Sequence, residues 1–534
     1  MVVEVQKIDS SFTEARIALE ASLGVLPGTP LWYIMEPNSY TDTGGSVGGV
    51  ARRPITTKRL RKKGTTTIVT AGAGMNVDLT PTMMTPFWPG MLLAAGRKHA
   101  QHGGRFVIPN PVTVVGTGFD IGEDAAAAGY AADQLVWADG FTDQANNGLK
   151  LVTGTATNVV LFAGSVVEAS PPADASIRVV GYEFPSADVD VVNAGGSLPT
   201  LVSAADDFTN LNLQRGDWIW IGGTAASSKF VNAENNGLAR VRSATTGVLT
   251  LDKAPGGADL ATDFVAETGT GLSIRIFTGD VYGTVASDDA NFADQTFTIE
   301  RLLGKPNPVA APTITQGEAV RGCQWANMAI NVPLPGDDSK VTFDVTWLGT
   351  DSEQHLGTGP DPLLSDTGNV VAIPSRDVFN PAGDVIRLKL NIVPPDTDGN
   401  GAADPLFARI SQLTLSLSNG SVANNSVGSD TAFAITANLF TVDASLTAYF
   451  SDIAAQQAVR NNEDTELELC LAKAVGGTHR EAVLFDLPLG ALTGGLANVE
   501  QDAPVSVPLT FADGEDEGLG RSFTVMDFGY LPLV

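Results

Sequence analysis

The sequence predicts a mainly β protein made of sandwiches or barrels with few helices. Its 534 residues include 57 glycines and 30 prolines, and only 17% of its side chains are charged, which is typical of short strands joined by many turns. Hydrophobic residues make up 43% of the chain, enough to fill real cores. The length indicates three or four domains.

Two helices are predicted. Residues 10–24 show the capping-box spacing of Ser11 and Glu14, followed by alanines and leucines and a stop at Gly24. Residues 451–461 form the second helix, because Ser451 can cap the free amides of its first turn.

Elsewhere apolar and polar residues alternate with a period of two. The clearest examples are 341–347, 386–392, 413–417 and 466–471. Each is predicted to be a strand with one buried face and one face in water. The glycine-rich segment 36–50 is predicted to be a loop, and its Gly44-x-Ser46-x-Gly48 lacks the strand-to-helix context of a hydrolase nucleophile.

The middle of the chain contains an internal repeat. Asn146-Asn147-Gly148-Leu149 recurs as Asn235-Asn236-Gly237-Leu238, and the agreement continues into the residues that follow. This pattern predicts two tandem β-modules that share an Asn-Gly turn, over 119–190 and 191–280. Chance similarity between common turn sequences is the alternative.

The net charge argues against a nucleic-acid-binding protein. The chain has 60 acidic and 32 basic residues, a net charge of −28, so it repels phosphates overall. No signal peptide and no apolar run long enough to span a membrane is visible, and we expect synthesis in a cytosol without membrane partners. Cys323 and Cys470 cannot build a disulfide framework.

The basic residues are unevenly distributed. Seven of them fall within residues 51–63, and the rest of the chain without them would carry −35. These residues are Arg52, Arg53, Lys58, Arg59, Arg61, Lys62 and Lys63. We expect them to contact the acidic surface of an identical neighbour. An ordinary solvated strand and a nucleic-acid patch are the alternatives.

One segment has the oxygen spacing of a calcium loop. Its candidate ligands are Asp396, Asp398, Asn400 and Asp404, with Gly401 at the sixth position. Phe407 occupies the twelfth position, where a bidentate glutamate belongs, and so a polar hairpin loop is the favoured interpretation. The four histidines (His99, His102, His355 and His479) complete no metal or catalytic set, and we expect neither a cofactor nor enzymatic activity.

Several segments resemble tail tube proteins of long-tailed bacteriophages. They include PLWYIMEPNSY from residue 30, VARRPITTKRLRKKGTTTIVTAGAGMNVDLTP from residue 50, QGEAVRGCQWANMAINVPL from residue 316 and KVTFDVTWLGTD from residue 340. The resemblance covers 30–115 and about 295–534. It implies a β-sandwich that closes rings with its neighbours, and rings that stack into a hollow tube through a long hairpin or loop.

The resemblance also implies a domain plan. The tube-like parts, 1–118 and 281–534, are together about twice the length of one tube domain. This length favours two pseudo-equivalent tube domains per chain. The ring would then be a trimer with pseudo-sixfold symmetry in preference to a hexamer. The modules would then decorate the outside of the tube. We expect a structural protein of the virion tail that forms an acidic conduit for double-stranded DNA, with the tape measure and other tail proteins as partners.

Two other classes of protein remain open at this point. One is a different phage structural component, such as a baseplate, tail terminator or capsid decoration protein. The other is a β-rich glycan-degrading enzyme, since sixty acidic residues supply paired carboxylates easily.

Overall fold

The computed structural model describes most of the chain. The described residues are 13–53, 55, 57, 60–81, 83, 87–104, 111–192, 198–255, 264–286, 289–305, 313–357, 360–371, 376–392, 409–449, 454–499, 501 and 504–533. They contain thirty-two strands and two short α-helices, so the predicted mainly β fold is confirmed. None of the described helices is long and apolar enough to cross a membrane.

We call the part of the chain outside residues 101–277 the body. Its elements are β1 (Thr13–Leu19), β2 (Leu31–Met35), β3 (Pro37–Arg52), β4 (Lys62–Asp78), α1 (Trp88–Leu92), β18 (Asp280–Gly283), β19 (Phe297–Lys305), β20 (Thr313–Val332), β21 (Thr342–Gly349), β22 (Asp351–His355), β23 (Asn369–Val371), β24 (Val385–Ile392), β25 (Ile410–Ser418), β26 (Val422–Asn424), β27 (Ala434–Thr436), β28 (Thr441–Tyr449), α2 (Ala454–Asn461), β29 (Asp464–Val475), β30 (His479–Gly494), β31 (Ser506–Asp513) and β32 (Thr524–Pro532).

The body is a sandwich of two antiparallel sheets. The first, which we call the open sheet, has the strand order β3-β4-β21-β20-β25-β28-β31. The second, the covered sheet, has the order β24-β29-β30-β32-β18, and the last residues of β30 also pair with β31 to join the two. A smaller layer, β23-β2-β1-β19, extends from the first half of β20.

One hydrophobic core lies between the two sheets. Val345 and Leu415 of the open sheet and Leu469 and Phe485 of the covered sheet belong to the same buried cluster. Alternation places these residues inside, because successive side chains of a strand point to opposite faces. The cluster also takes in the N-terminal strands and α1, so the described parts of the body share a single core.

The second large sheet lies within residues 101–277, the modules. Its strands are β5 (Gln101–Gly103), β6 (Thr113–Val115), β7 (Gly118–Asp120), β8 (Gln134–Asp139), β9 (Gly148–Ala156), β10 (Val159–Phe162), β11 (Ser176–Phe184), β12 (Asp190–Val192), β13 (Thr200–Val202), β14 (Trp218–Ile221), β15 (Gly237–Ala244), β16 (Val248–Lys253) and β17 (Ile274–Phe277). β11 pairs with β17 and joins the two modules. β5 pairs with β11 and β6 with β7, so this sheet begins upstream of residue 119.

The modules pack against the outer face of the covered sheet. Leu135, Trp218 and Phe277 of the modules share one buried cluster with Leu484 and Met526 of the covered sheet. The modules also have hydrophobic cores of their own. The molecule therefore has three layers: open sheet, covered sheet and module sheet.

The predicted helix at 10–24 is wrong. Thr13–Leu19 form β1, which pairs with β2 on one side and β19 on the other. Ala15 and Ile17 alternate into the core, and Glu14 lies 2.5 Å from Arg16 on the other face rather than capping a helix. Pairing on both edges outweighs the local helix propensity of the alanines and leucines.

Three further expectations can be compared with the structure. The four predicted strands are confirmed as β21, β24, β25 and β29, and the described part of the second helix is α2. Segment 36–50 is not the predicted loop but most of β3. The calcium-loop candidates Asp396, Asp398, Asn400 and Asp404 lie outside the described residues, as does the start of the predicted helix at 451–453.

Candidate functional site

The first candidate surface is an arm that projects from the open sheet. It consists of residues 45–52 of β3, residues 62–70 of β4 and the described residues between them. The sheet pairing of β4 with β21 ends at Ala71, and the last described backbone bond to the body runs from Val69 N to Asp430 O at 2.6 Å. Residues 62–68 pair only with β3 among the described strands, and at about 3.3 Å per residue they extend about 23 Å from the body.

The arm carries the basic cluster at its tip. Arg52 is paired with Lys62 in the ladder, and Arg53, Arg61 and Lys63 adjoin them. All five side chains are exposed, and none makes an ion pair within the described part of the chain. Lys58 and Arg59, the other two predicted contact residues, lie outside the described residues.

Apolar side chains accompany these cations. Val50 is 56% exposed and Leu60 is 68% exposed, and Val47 nearer the body is also exposed. A two-stranded ribbon with both faces in water buries too little surface to be stable by itself. The arm thus presents unpaired cations and uncovered apolar groups together, which is the composition of a contact surface.

The second candidate surface is the outer face of the open sheet, which we call the open face. Its outward residues are Asn76, Asp78, Asn327, Ala329, Asn331, Thr342, Asp344, Thr346, Gln412, Thr414, Ser416, Ser418, Asp443, Ser445, Thr447, Ser506, Pro508 and Thr510. All are exposed or half-buried, and they alternate with core residues. Hydroxyl and amide side chains dominate this face.

Cross-strand hydrogen bonds connect these side chains. Asn76 Nδ2 donates to Asp344 Oδ1 at 2.8 Å, and Asn331 Nδ2 donates to Asp344 Oδ2 at 2.9 Å. Thr414 Oγ1 then donates to Asn331 Oδ1 at 3.2 Å. The chain of bonds crosses β4, β21, β20 and β25 and fixes the side-chain orientations.

The third feature is a buried ionic cluster between module and body. Three cations and four carboxylates meet on the outer side of the covered sheet. They are Arg240, Lys253, Arg387, Asp252, Glu466, Glu468 and Asp486. Lys253 contacts both Glu466 and Glu468, and Arg387 contacts Glu468.

This cluster corrects the predicted wet faces of β24 and β29, since Arg387 and Asn391 of β24 are also buried. Glu466 and Glu468 alternate with leucines as a solvent-facing pair would, yet they are 4% and 0% exposed. Module 2 covers them and supplies Lys253 as their partner, which lies 213 residues away from Glu466 in the chain. Burying a carboxylate requires such pairing, because desolvation is otherwise too costly.

Burial and neighbouring charges perturb two carboxylates in the cluster. Burial raises the pKa of Asp486 to about 6, against the opposing effect of Arg240. Burial alone would also raise the pKa of Glu468, but Lys253 and Arg387 beside it hold that pKa well below its usual range. Of these two carboxyl groups, Asp486 is therefore the one that takes up a proton more readily.

Aromatic contacts strengthen the same interface. Trp218 of β14 donates from Nε1 to Asp486 Oδ2 at 3.0 Å, and Arg387 lies over its ring at 4.9 Å from the centroid. In module 1, Trp137 packs on His479 of β30 with ring centroids 4.1 Å apart. Both modules are therefore attached to the body by desolvated contacts.

Comparison with known families assigns the chain. A family model described as phage tail tube protein matches residues 13–512. The chain belongs to the phage tail tube protein family. Comparison with curated proteins gives no significant match.

In this tail tube protein, the two Asn-Asn-Gly turns make the same hydrogen bonds. Asn146 donates to Val166 O at 2.9 Å and accepts from Val166 N at 3.0 Å. Asn235 does the same with Val265, at 2.8 and 2.9 Å. The glycine of each turn has a positive φ, 93° at Gly148 and 133° at Gly237, a conformation that favours glycine.

A half-buried glutamate that hydrogen-bonds each turn also recurs in the tail tube chain. Glu168 accepts from the backbone N–H of Thr142 at 2.9 Å, and Glu267 accepts from that of Val231 at 2.6 Å. Each also accepts from the first asparagine of its turn. Sequence comparison shows the asparagines but misses the glutamates, because the insertion between the copies shifts their spacing.

The remaining candidates for a metal site or a catalytic residue can be located in the structure. The described residues hold no group of three or more His, Cys, Asp or Glu side chains that could bind a metal. Gly44, Ser46 and Gly48 lie inside β3 and pair with β4, rather than at a strand-to-helix turn. His102 contacts Glu123 at 2.6 Å and Tyr130 at 3.1 Å within module 1.

Proposed function

We propose that copies of this chain assemble into rings that stack to form the phage tail tube, the conduit for double-stranded DNA. The family assignment supports a structural tail component. The observation that carries the assembly step is the arm, which extends about 23 Å from the body and ends in exposed cations on a chain of net charge −28.

The arm would bind an acidic surface on another copy. The positive charge comes from Arg52, Arg53, Arg61, Lys62 and Lys63, together with Lys58 and Arg59 from the same stretch of sequence. Complementary charge orients the two copies and reduces the repulsion between acidic subunits, while Val50 and Leu60 supply apolar area. The arm continues the strand direction of β4, so its partner lies beyond the end of the open sheet.

The modules would lie on the outer wall of the tube. The modules form a thick layer on the covered sheet, under which Glu466 and Glu468 are buried. A layer of this size inside the channel would block the passage of DNA. The matching turns of the two copies support our proposal that the modules arose by tandem duplication. We also propose that the tube contacts the tape measure and other tail proteins, and that the chain is synthesised in the bacterial cytoplasm.

We further propose a trimeric ring with pseudo-sixfold symmetry in preference to a hexamer. The basis is the length of the body, about twice that of one tube domain; because the described parts of the body share one hydrophobic core, the two pseudo-equivalent domains would be packed together as one unit. Native mass spectrometry of solubilised rings counts the subunits directly. Three copies would support the trimer, and six would contradict it.

Charge reversal on the arm tests the assembly step. The variant Arg61→Glu, Lys62→Glu, Lys63→Glu is compared with Arg215→Glu, Lys229→Glu, Arg460→Glu, which makes the same change in net charge on residues without an ion pair among the described contacts. We expect the wild type and the control to form tubes under the electron microscope and the arm variant to remain unassembled.

Two outcomes would count against the proposal. Tubes of normal length from the arm variant would exclude the arm as the assembly contact. Isolated rings from the wild type at every concentration would instead favour a tail terminator or baseplate component.

A further inference from the structure

The open face has an unusual charge composition. The strand segments that form it are 72–78, 327–332, 342–349, 410–418, 441–449 and 506–513, and they contain no lysine, arginine, histidine or glutamate. Their charged residues are four aspartates: Asp78, Asp344, Asp443 and Asp513. The open face and the arm therefore differ in charge: these segments of the open face contain no cation, and the arm carries a cluster of them.

Two described cations lie at the edge of this surface: exposed Arg409, which directly precedes β25, and Lys340. Lys340 precedes β21 and contacts Asp78 at 2.6 Å, so its charge is paired at the end of the strands. The basic arm leaves from the opposite end of β4. Among the described residues, the cations that adjoin these six strand segments therefore lie at their ends and not on the open face.

The two faces of the sandwich have different environments. The outer face of the covered sheet is buried by the modules through a shared hydrophobic cluster and the ionic cluster. The open face has no such cover from the described part of the chain. If the modules lie outside the tube, then the opposite face of the sandwich points toward the axis.

We infer that the open face is the inner wall of the tube, the surface past which double-stranded DNA moves. This inference rests on the proposed function. It assigns the wall to β4, β21, β20, β25, β28 and β31, with Asp344, Ser416 and Ser445 among the residues that face DNA.

The chemistry of the face suits a surface that does not bind DNA. Tight binding to the DNA backbone depends on Lys and Arg that neutralise phosphates and release counterions, and the face has none. Asn76, Asn331 and Thr414 use donors in cross-strand hydrogen bonds, which leaves fewer for phosphate oxygens. Asp344 and Asp443 repel phosphate. Hydroxyls and amides outnumber carboxylates, so the wall is mostly neutral.

Cysteine labelling tests the inference without background from the native thiols. Cys323 and Cys470 are free but buried, and burial raises the pKa of both thiols. The variants are Ser416→Cys on the open face and, as a control, Ser170→Cys on the exposed surface of module 1. Each is treated with a small maleimide and with a maleimide attached to a protein too large to enter the tube.

We expect Ser416→Cys in assembled tubes to react with the small reagent and to react at least tenfold more slowly with the large one than in the unassembled chain. Ser170→Cys should react with both reagents in both states. Equal reaction of Ser416→Cys with the large reagent in tubes would place the face outside and overturn the inference. Loss of reaction with both reagents would place it in a subunit interface and overturn it equally.

Failure of the proposed function can be distinguished from failure of the inner-wall assignment. If the wild type forms no tubes, then the proposed function is wrong and the inference falls with it. If tubes form and residue 416 reacts freely with the large reagent, only the assignment of the inner wall is wrong.

Discussion

Replacing Lys253 with methionine should weaken the attachment of module 2 to the body by about 3–5 kcal/mol. The Lys253 side chain is buried, with 2% of its surface exposed, and its ammonium contacts both Glu466 and Glu468. Methionine has a similar length but no charge. The variant leaves three buried carboxylates and the half-buried Asp252 against Arg240 and Arg387, and an uncompensated buried charge costs far more than a lost surface pair.

The control is Lys473→Met, the same substitution on β29. Lys473 lies 3.0 Å from Asp384, and both side chains keep some contact with water, at 20% and 15% exposure. Its loss should cost no more than about 1 kcal/mol. Urea unfolding is followed by tryptophan fluorescence, since Trp218 contacts Arg387 within the cluster and reports on separation of the module.

The two variants show whether the ionic cluster holds module 2 to the body. A first unfolding transition at clearly lower urea for Lys253→Met, with Lys473→Met close to wild type, is the predicted result. Equal midpoints for the two variants would show that the ionic cluster does not hold the module to the body.

Three further predictions follow from the same contacts. Burial raises the pKa of Asp486 to about 6, above the pKa of an unfolded carboxyl group. The contribution of Asp486 to docking is therefore full at low pH and is lost as the pH rises through about 6. The variant Asp486→Asn keeps an acceptor for Trp218 and should flatten the pH dependence of the urea midpoint between pH 4 and 7. Tubes carrying Ser416→Lys and Ser445→Lys should retain short duplex DNA at low salt and release it at high salt, whereas wild-type tubes should retain none at either. Calorimetric titration with millimolar calcium should give no binding heat if 396–404 is a hairpin loop, and a saturable signal would establish a calcium site there.

Local sequence patterns predict the strands that have one apolar face. β21 and β25 follow from alternation alone, because their polar residues really face water and nothing else in the described chain covers them. The basic run of residues 51–63 is also visible in the sequence as a charge anomaly, although its position at the tip of a long two-stranded arm is not. Pattern therefore predicts the open sheet well.

Long-range contacts decide the features that the sequence does not reveal. β1 has the composition of a helix and becomes a strand because β2 and β19, the latter nearly 300 residues away in the chain, pair with its two edges. Glu466 and Glu468 have the pattern of a wet face and become buried because Lys253 from module 2 neutralises them. Neither partner can be identified from the residues adjacent to the feature it changes.

The direct test of the central claim is a cryo-electron microscopy map of the assembled tube. We predict that β21, β25 and β28 line the channel, that Asp344 and Ser416 face the axis, and that the modules lie on the outside. A map with the modules in the channel, or with the open face in contact with a neighbouring subunit, would contradict it.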